Sequence, residues 1–236
     1  MLTRLAAPAP QPELHVAAAA NLSNVLPELS AAFEKKTGIH IVPSMGATAQ
    51  LTQQIENGAP FDVFLSADVK HVDQLAAKQL ITPGTRAIYA RGELVVWAPR
   101  APAVRNLTDL AKPDVHSIAI AKPELAPYGA AAIATLKASG LWNKVEAKVV
   151  YAPSIAVAKQ FADTGNAEAA FTARALTVDA EGNAFPVDGK LHKPIDQALG
   201  IVKASAQQKQ ARAFTTFLNS SEARAIFKRF GYTADR

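Results

Sequence analysis

Residues 14–38 read LHVAAAANLSNVLPELSAAFEKKTG and residues 39–58 read IHIVPSMGATAQLTQQIENG, the same pattern written twice. In the first copy a short apolar run, 14–19, reads as a buried strand that meets polar Asn21, Ser23 and Asn24. Leu22, Val25, Leu26, Leu29, Ala32 and Phe33 then recur at three- and four-residue steps, the period of a helix with one buried face. Gly38 stops that helix where a left-handed residue is needed, and Pro27 removes one backbone bond near its first turn. The second copy predicts a strand at 39–43, a polar turn at 44–48, a helix at 49–56 and a stop at Asn57-Gly58. A third strand at 62–66 precedes Asp68 as a helix cap, with Val72, Leu75 and Ala76 turned inward. Strands alternating with helices at this spacing build a parallel sheet with helical crossovers, so the fold class is α/β.

A second set of such units follows. Strands are expected at 93–99, 117–121, 147–151, 167–172 and 197–203, with one helix that follows the turn 122–129 and ends at Gly140 and another over 155–163. Two final helices, 206–218 and 221–230, carry apolar faces that must be covered: Ala211, Phe214, Phe217 and Leu218, then Ile226, Phe227 and Phe230. If strands 93–99 and 197–203 are the two crossovers, the tail returns to the first lobe and the two lobes hinge there. The expected division is 1–13 as a flexible leader, 14–94 with 201–236 as the first lobe, and 95–200 as the second. The leader is rich in Ala and Pro and lacks the continuous apolar stretch of a secretory signal, so it reads as the remnant of an export region.

Composition excludes several classes. There is no cysteine, which removes disulfide frameworks, thiolate metal sites and cysteine nucleophiles. The Lys and Arg residues behind the net charge of +5 are scattered, with mild clustering only at Arg224, Lys228 and Arg229 and no interleaved aromatics of the kind a single-strand binder uses, so nucleic acid is not an expected partner. No apolar run is long enough to span a bilayer. The five histidines show no metal-ligand spacing. There is no Gly-x-Ser-x-Gly elbow, phosphate-cradling Gly-rich loop, dinucleotide fingerprint or His-Glu-x-x-His. An α/β hydrolase or transferase would need a site assembled wholly in space.

In α/β lobes ligands collect beyond the carboxyl ends of strands, where helix N-termini present free N–H groups and a positive dipole end. Four such junctions stand out, two in each lobe: Ala20-Asn21, Ala47-Thr48, Pro127-Tyr128 and Ser154-Ile155. None has a Lys, Arg or His beside it, a pattern that fits an anion held without a counter-charge. The competing reading is that Asn21, Thr48 and Ser154 are ordinary helix caps. Tyr128, between Pro127 and Gly129, has no periodic core role. Acidic residues are scarce at these junctions, Glu124 excepted, and a half-protonated phosphate would want a carboxylate acceptor. Molybdate, tungstate or sulfate, which need donors only, fit better.

Three stretches resemble the molybdate-binding proteins of ATP-binding-cassette importers: 17–22, AAAANL; 54–68, QIENGAPFDVFLSAD; and 225–232, AIFKRFGY. The likeness runs from Leu14 to Tyr232 and implies a two-lobe periplasmic-binding-protein type II fold, each lobe a mostly parallel sheet with flanking helices, joined by two crossover strands. It implies a periplasmic or otherwise extracytoplasmic monomer that binds molybdate and tungstate, has no cofactor and no metal held directly, catalyses nothing and serves the membrane permease of an importer. By position it points to the Ala20 backbone, Asn21, the Thr48 hydroxyl and N–H, Tyr128 and the Ile155 N–H as the oxyanion-binding set. The sequence departs from the pattern in two ways. Many members have serine where Asn21 and Thr48 stand, and many carry a tyrosine where this chain has Thr172-Ala173. Some place it at the turn of Tyr128 instead, which leaves Ala173 without a side-chain role. A binding protein of the same architecture for sulfate or another small solute is the alternative.

Overall fold

The computed structural model describes residues 12–233. The chain opens with β1 (Glu13–Ala19), a 3-10 turn (Ala20–Leu22), α1 (Leu26–Thr37), β2 (His40–Gly46), α2 (Thr48–Glu56), β3 (Val63–Leu65), α3 (Lys70–Ala77) and β4 (Ala87–Gly92). It continues with β5 (Leu94–Trp97), β6 (Ile118–Ala121), α4 (Pro127–Ala138), the short α5 (Trp142–Val145), β7 (Val149–Ala152), α6 (Ile155–Thr164), β8 (Ala169–Ala173) and β9 (Ala184–Pro186). It ends with β10 (Ile195–Ile201), α7 (Gln208–Leu218) and α8 (Ser221–Arg229). Gly38 and Gly165, at φ 69° and 80°, end α1 and α6 in the left-handed conformation that a residue without Cβ adopts at little cost.

Two five-stranded sheets result, in the orders β2-β1-β3-β10-β4 and β7-β6-β8-β5-β9. Each has three parallel strands followed by one antiparallel to them, β10 against β3 and β5 against β8. Helices cover both faces, so the central strands β3, β6 and β8 read as continuous apolar or small-residue runs. Leu14, Val16 and Ala18 of β1 join the core under α1, α7 and α8, while Ala17 points to the core under α2 and α3. The C-terminal helices close on the first sheet: Phe214 and Phe217 pack on Phe33 of α1, ring centroids 5.0 and 5.6 Å away. In the second sheet α4 covers the face of Ile118, Ile120 and Phe171, and α6 that of Trp97, Ala119 and Ala170.

The structure differs from expectation at the crossings. Strands 93–99 and 197–203 each follow a crossing rather than form it: β5 bonds to β8 and β9 in the second sheet, and β10 to β3 and β4 in the first. The outward crossing is the single step from Gly92 through Glu93, because β4, a strand hidden by its half-exposed Ala87, Arg91 and Gly92, carries the chain to the junction. The return runs through 187–194. All of β10 lies in the first sheet, so the expected boundary at 200/201 cuts a strand whose ladder holds it in one piece. Glu13, placed in the leader, pairs with His40 in β1, and residues 1–11 of that leader lie outside the described residues. Ala76 is exposed rather than inward. Asp68 accepts the His71 N–H at 3.0 Å as a cap would, two residues before α3 starts.

Candidate functional site

The ends of β1 and β2 in the first lobe, and the starts of α4 and α6 in the second, meet at one tight cavity of about 10 Å³. Ala20, Asn21, Thr48, Tyr128 and Ile155 all line it, together with Ala19, Gly46, Ala47, Ala67, Ala126 and Pro127. The lobes touch around it. The Ala49 N–H of α2 donates to the Leu125 carbonyl across the cleft at 3.1 Å. Ala19, Ala20 and Ala67 of the first lobe share an apolar cluster with Tyr128, Ile155 and Ala173 of the second. The alanines make this approach close, since a larger side chain at any of them would occupy the cavity.

Each helix reaches the cavity the same way. Ala47, Ala126 and Ser154 are extended residues just before α2, α4 and α6. The first N–H groups of an α-helix have no acceptor within it. At α2 and α4 no side chain supplies one. Pro127 has no N–H, so the first donor of α4 is Tyr128 itself. Ser154 does act as a cap, its Oγ accepting the Val157 N–H at 3.3 Å, which leaves Ile155 at the entrance. Thr48 is not a cap: it is the first residue of α2, and its Oγ1 accepts the Ala67 N–H at 3.3 Å. An oxygen used as acceptor keeps its own hydrogen for another group.

Asn21 departs from the expectation of a side-chain donor. It is buried, and its Nδ2 donates to Gln197 Oε1 at 2.9 Å and to Tyr232 Oη at 2.8 Å, which engages both amide hydrogens. What it can offer the cavity is its main-chain N–H. Tyr232 in turn donates to the Asn21 carbonyl at 2.9 Å. Gln197 also accepts from Tyr89 Oη at 2.9 Å and donates through Nε2 to Tyr128 Oη at 3.0 Å. Gly92 lies against this cluster, where a Cβ would come within 1.8 Å of Tyr128 Oη and 2.7 Å of Gln197 Nε2.

No charged side chain lines the cavity. Glu124 is exposed and outside it. Burial, then the neighbouring Tyr232 and Tyr89, push the Tyr128 hydroxyl well above the ordinary tyrosine range, so it stays protonated as a donor. Wider grooves exist, one of about 490 Å³ beside Tyr89, Arg224 and Lys228, but its lining comes from the first lobe alone, so no lobe closure could enclose a ligand there.

Sequence reading missed Gln197, Tyr232, Tyr89 and Gly92. Tyr232 falls within one of the family-like stretches without a role attached, and Gln197 stands as a lone amide at the start of an expected strand; neither carries a local signal of partners in the other half of the chain.

A family model described as bacterial extracellular solute-binding protein matches residues 14–233. The molybdate-binding protein ModA of Rhodobacter capsulatus is 37% identical over 98% of this chain and 92% of its own length. The solved periplasmic molybdate-binding protein of Azotobacter vinelandii superposes with a TM-score of 0.90 at 33% identity, over 94% of this chain and all of that one. The sulfate-binding protein SubI of Mycobacterium tuberculosis shares the fold, with a TM-score of 0.75 at 16% identity over 94% of this chain and 86% of that one.

Proposed function

Because the chain belongs to the bacterial extracellular solute-binding proteins, we propose that it captures molybdate, and tungstate with it, between its two lobes and delivers the oxyanion to the permease of an ATP-binding-cassette importer. It does this outside the cytoplasm, as a monomer, with no cofactor and no chemical turnover. The observation that carries the reading is the convergence of helix and turn N-termini from both lobes on a cavity lined by no charged side chain. A dianion there is met by fixed N–H dipoles and hydroxyl hydrogens, and the electrostatic gain comes from aimed partial charges rather than a cation. Donors without carboxylate acceptors favour a fully ionised tetrahedral anion over one that must place a proton. The near full-length similarity to proteins named for molybdate supports that anion over sulfate, for which only the shared fold speaks.

In this reading the donors are the N–H groups at Ala20 and Asn21, Thr48 through N–H and Oγ1, Tyr128 through Oη, and the Ile155 N–H. A ligand bound only by the native closed form stabilises it by about 2.7 kcal/mol at a hundredfold excess over Kd. For a chain of this size that raises the unfolding midpoint by roughly 5–11 °C. Calorimetric titration and thermal unfolding with molybdate, tungstate, sulfate and phosphate test it. The expected result is a shift with molybdate and tungstate at concentrations where sulfate and phosphate give none; a shift with sulfate alone would replace the proposed ligand.

A further inference from the structure

Gln197 is fully buried on β10, in the strand that brings the chain back from the second lobe, and its carboxamide touches residues of both lobes. A register shift opposite Tyr89 lets Tyr89 and Gln197 meet side by side, as a bulge re-aims side chains. Its partners differ in what else they have. Asn21 Nδ2 also bonds Tyr232, and the single Tyr89 hydroxyl hydrogen is shared between Gln197 Oε1 and the Ser66 carbonyl, which lies 3.1 Å from Tyr89 Oη. The Tyr128 hydroxyl has one hydrogen-bond partner among the described residues, and it is Gln197 Nε2. An N–H donated into the hydroxyl oxygen occupies its acceptor side, so the hydroxyl hydrogen must point elsewhere, and Tyr128 is one of the residues that line the cavity. The same bond polarises the O–H and strengthens whatever bond it donates.

We propose that Gln197 is a positioning residue for the oxyanion site: from the first lobe it orients the second lobe's Tyr128 hydroxyl so that its hydrogen faces the ligand when the lobes close. This rests on the reading above that Tyr128 is a ligand donor. A glutamine can do it because its Oε1 takes the hydrogens of Asn21 and Tyr89 while Nε2 is left to give. Gly92 admits the contact by having no side chain there.

The test compares wild type, Tyr128→Phe, Gln197→Met and the double variant by molybdate titration and stopped-flow release, with ligand-free unfolding measured for each. Tyr128→Phe should weaken binding by about one to two decades. Gln197→Met, similar in length but without hydrogen bonds, should weaken it by about three- to tenfold, chiefly through faster release. In the Tyr128→Phe background the Gln197 change should add less than about twofold, because its route to the ligand is gone. Losses that multiply, or a Gln197→Met protein that binds as wild type does, overturn the proposal while leaving Tyr128 in the site. Normal binding by Tyr128→Phe removes Tyr128 and this proposal together, whereas molybdate binding by the wild type stands as a separate measurement. Should Gln197→Met fail to fold, Gln197→Glu keeps the acceptor oxygen for Asn21 and Tyr89. Its carboxylate should capture the Tyr128 hydrogen, weakening binding at pH 9 with recovery relative to wild type as acid protonates it; wild-type affinity at pH 9 overturns the proposal.

Discussion

Placing a single methyl group at the crossing between the lobes, Gly92→Ala, tests whether closure and binding share one geometry. Gly92 is not a residue of positive φ, so its backbone accepts alanine, and the obstacle is space alone. The added Cβ would stand 1.8 Å from Tyr128 Oη and 2.7 Å from Gln197 Nε2. Tyr128 cannot simply withdraw, because its ring is buried and α4 is pressed onto the end of β6: a Cβ on Gly129 would lie 2.0 Å from the Ala121 carbonyl oxygen. The least costly adjustment is therefore a partial opening of the second lobe. Inserting a methyl group into a packed site costs about 1–3 kcal/mol. Charged to the closed form alone, that is about one to two decades in Kd. Titration with molybdate should show that loss, and the ligand-free unfolding midpoint should move less than the ligand-saturated one. Equal shifts of both midpoints with an unchanged Kd would refute the reasoning, since the clash would then be a folding defect unconnected with closure.

Thr48→Val keeps the branched shape and removes the hydroxyl that accepts the Ala67 N–H, so it should cost about 1 kcal/mol of ligand-free stability and about one to two decades of affinity, with Thr48→Ser restoring both, as denaturant unfolding and titration would show. Asp163 accepts the buried Trp97 Nε1–H at 2.6 Å; Asp163→Ala should lower stability by about 1–3 kcal/mol while leaving Kd for molybdate unchanged, because Asp163 stands in the last turn of α6, at the opposite end from the Ile155 that meets the cavity. Burial raises the Glu168 carboxyl, but the backbone and hydroxyl donors of Ser117 and the His116 N–H outweigh it and hold it below the ordinary glutamate range. A carboxyl lowered in the fold adds stability above its unfolded pKa and loses it as pH falls through the folded one, so unfolding midpoints should decline below about pH 4.5 and Glu168→Gln should flatten that limb.

Much of the fold was legible because local period and global burial agree. The alternating steps of α1 and α2, the glycine stops at Gly38 and Gly58 and the apolar strands β1, β3, β6 and β8 each state their structure within a few residues. The crossings were not legible, for a physical reason. β4 and β9 have mixed burial, with Arg91 and Gly92 ending the one and Pro186 the other, and their strand character comes from pairing with β10 and β5, which no local window contains. Strand 93–99 was visible as a strand, but its partners depend on β8 and β9 arriving from about eighty residues downstream.

The site divides along the same line. The turns that bring helix starts to the cavity are local devices, which is why Ala47-Thr48, Pro127-Tyr128 and Ser154-Ile155 could be picked out from spacing. What the side chains do there is not local: Asn21 is 176 residues from Gln197 and 211 from Tyr232, and only those partners decide that its amide hydrogens are spent inside the protein. A site of neutral donors depends on such partners more than a charged one would. A cation attracts an anion over a range of orientations, whereas a hydroxyl or amide rewards the anion only when its hydrogen is already aimed. On the proposed reading, the buried junction of Asn21, Tyr89, Tyr128, Gln197 and Tyr232, which joins side chains of both lobes beside Gly92, is what would meet that demand.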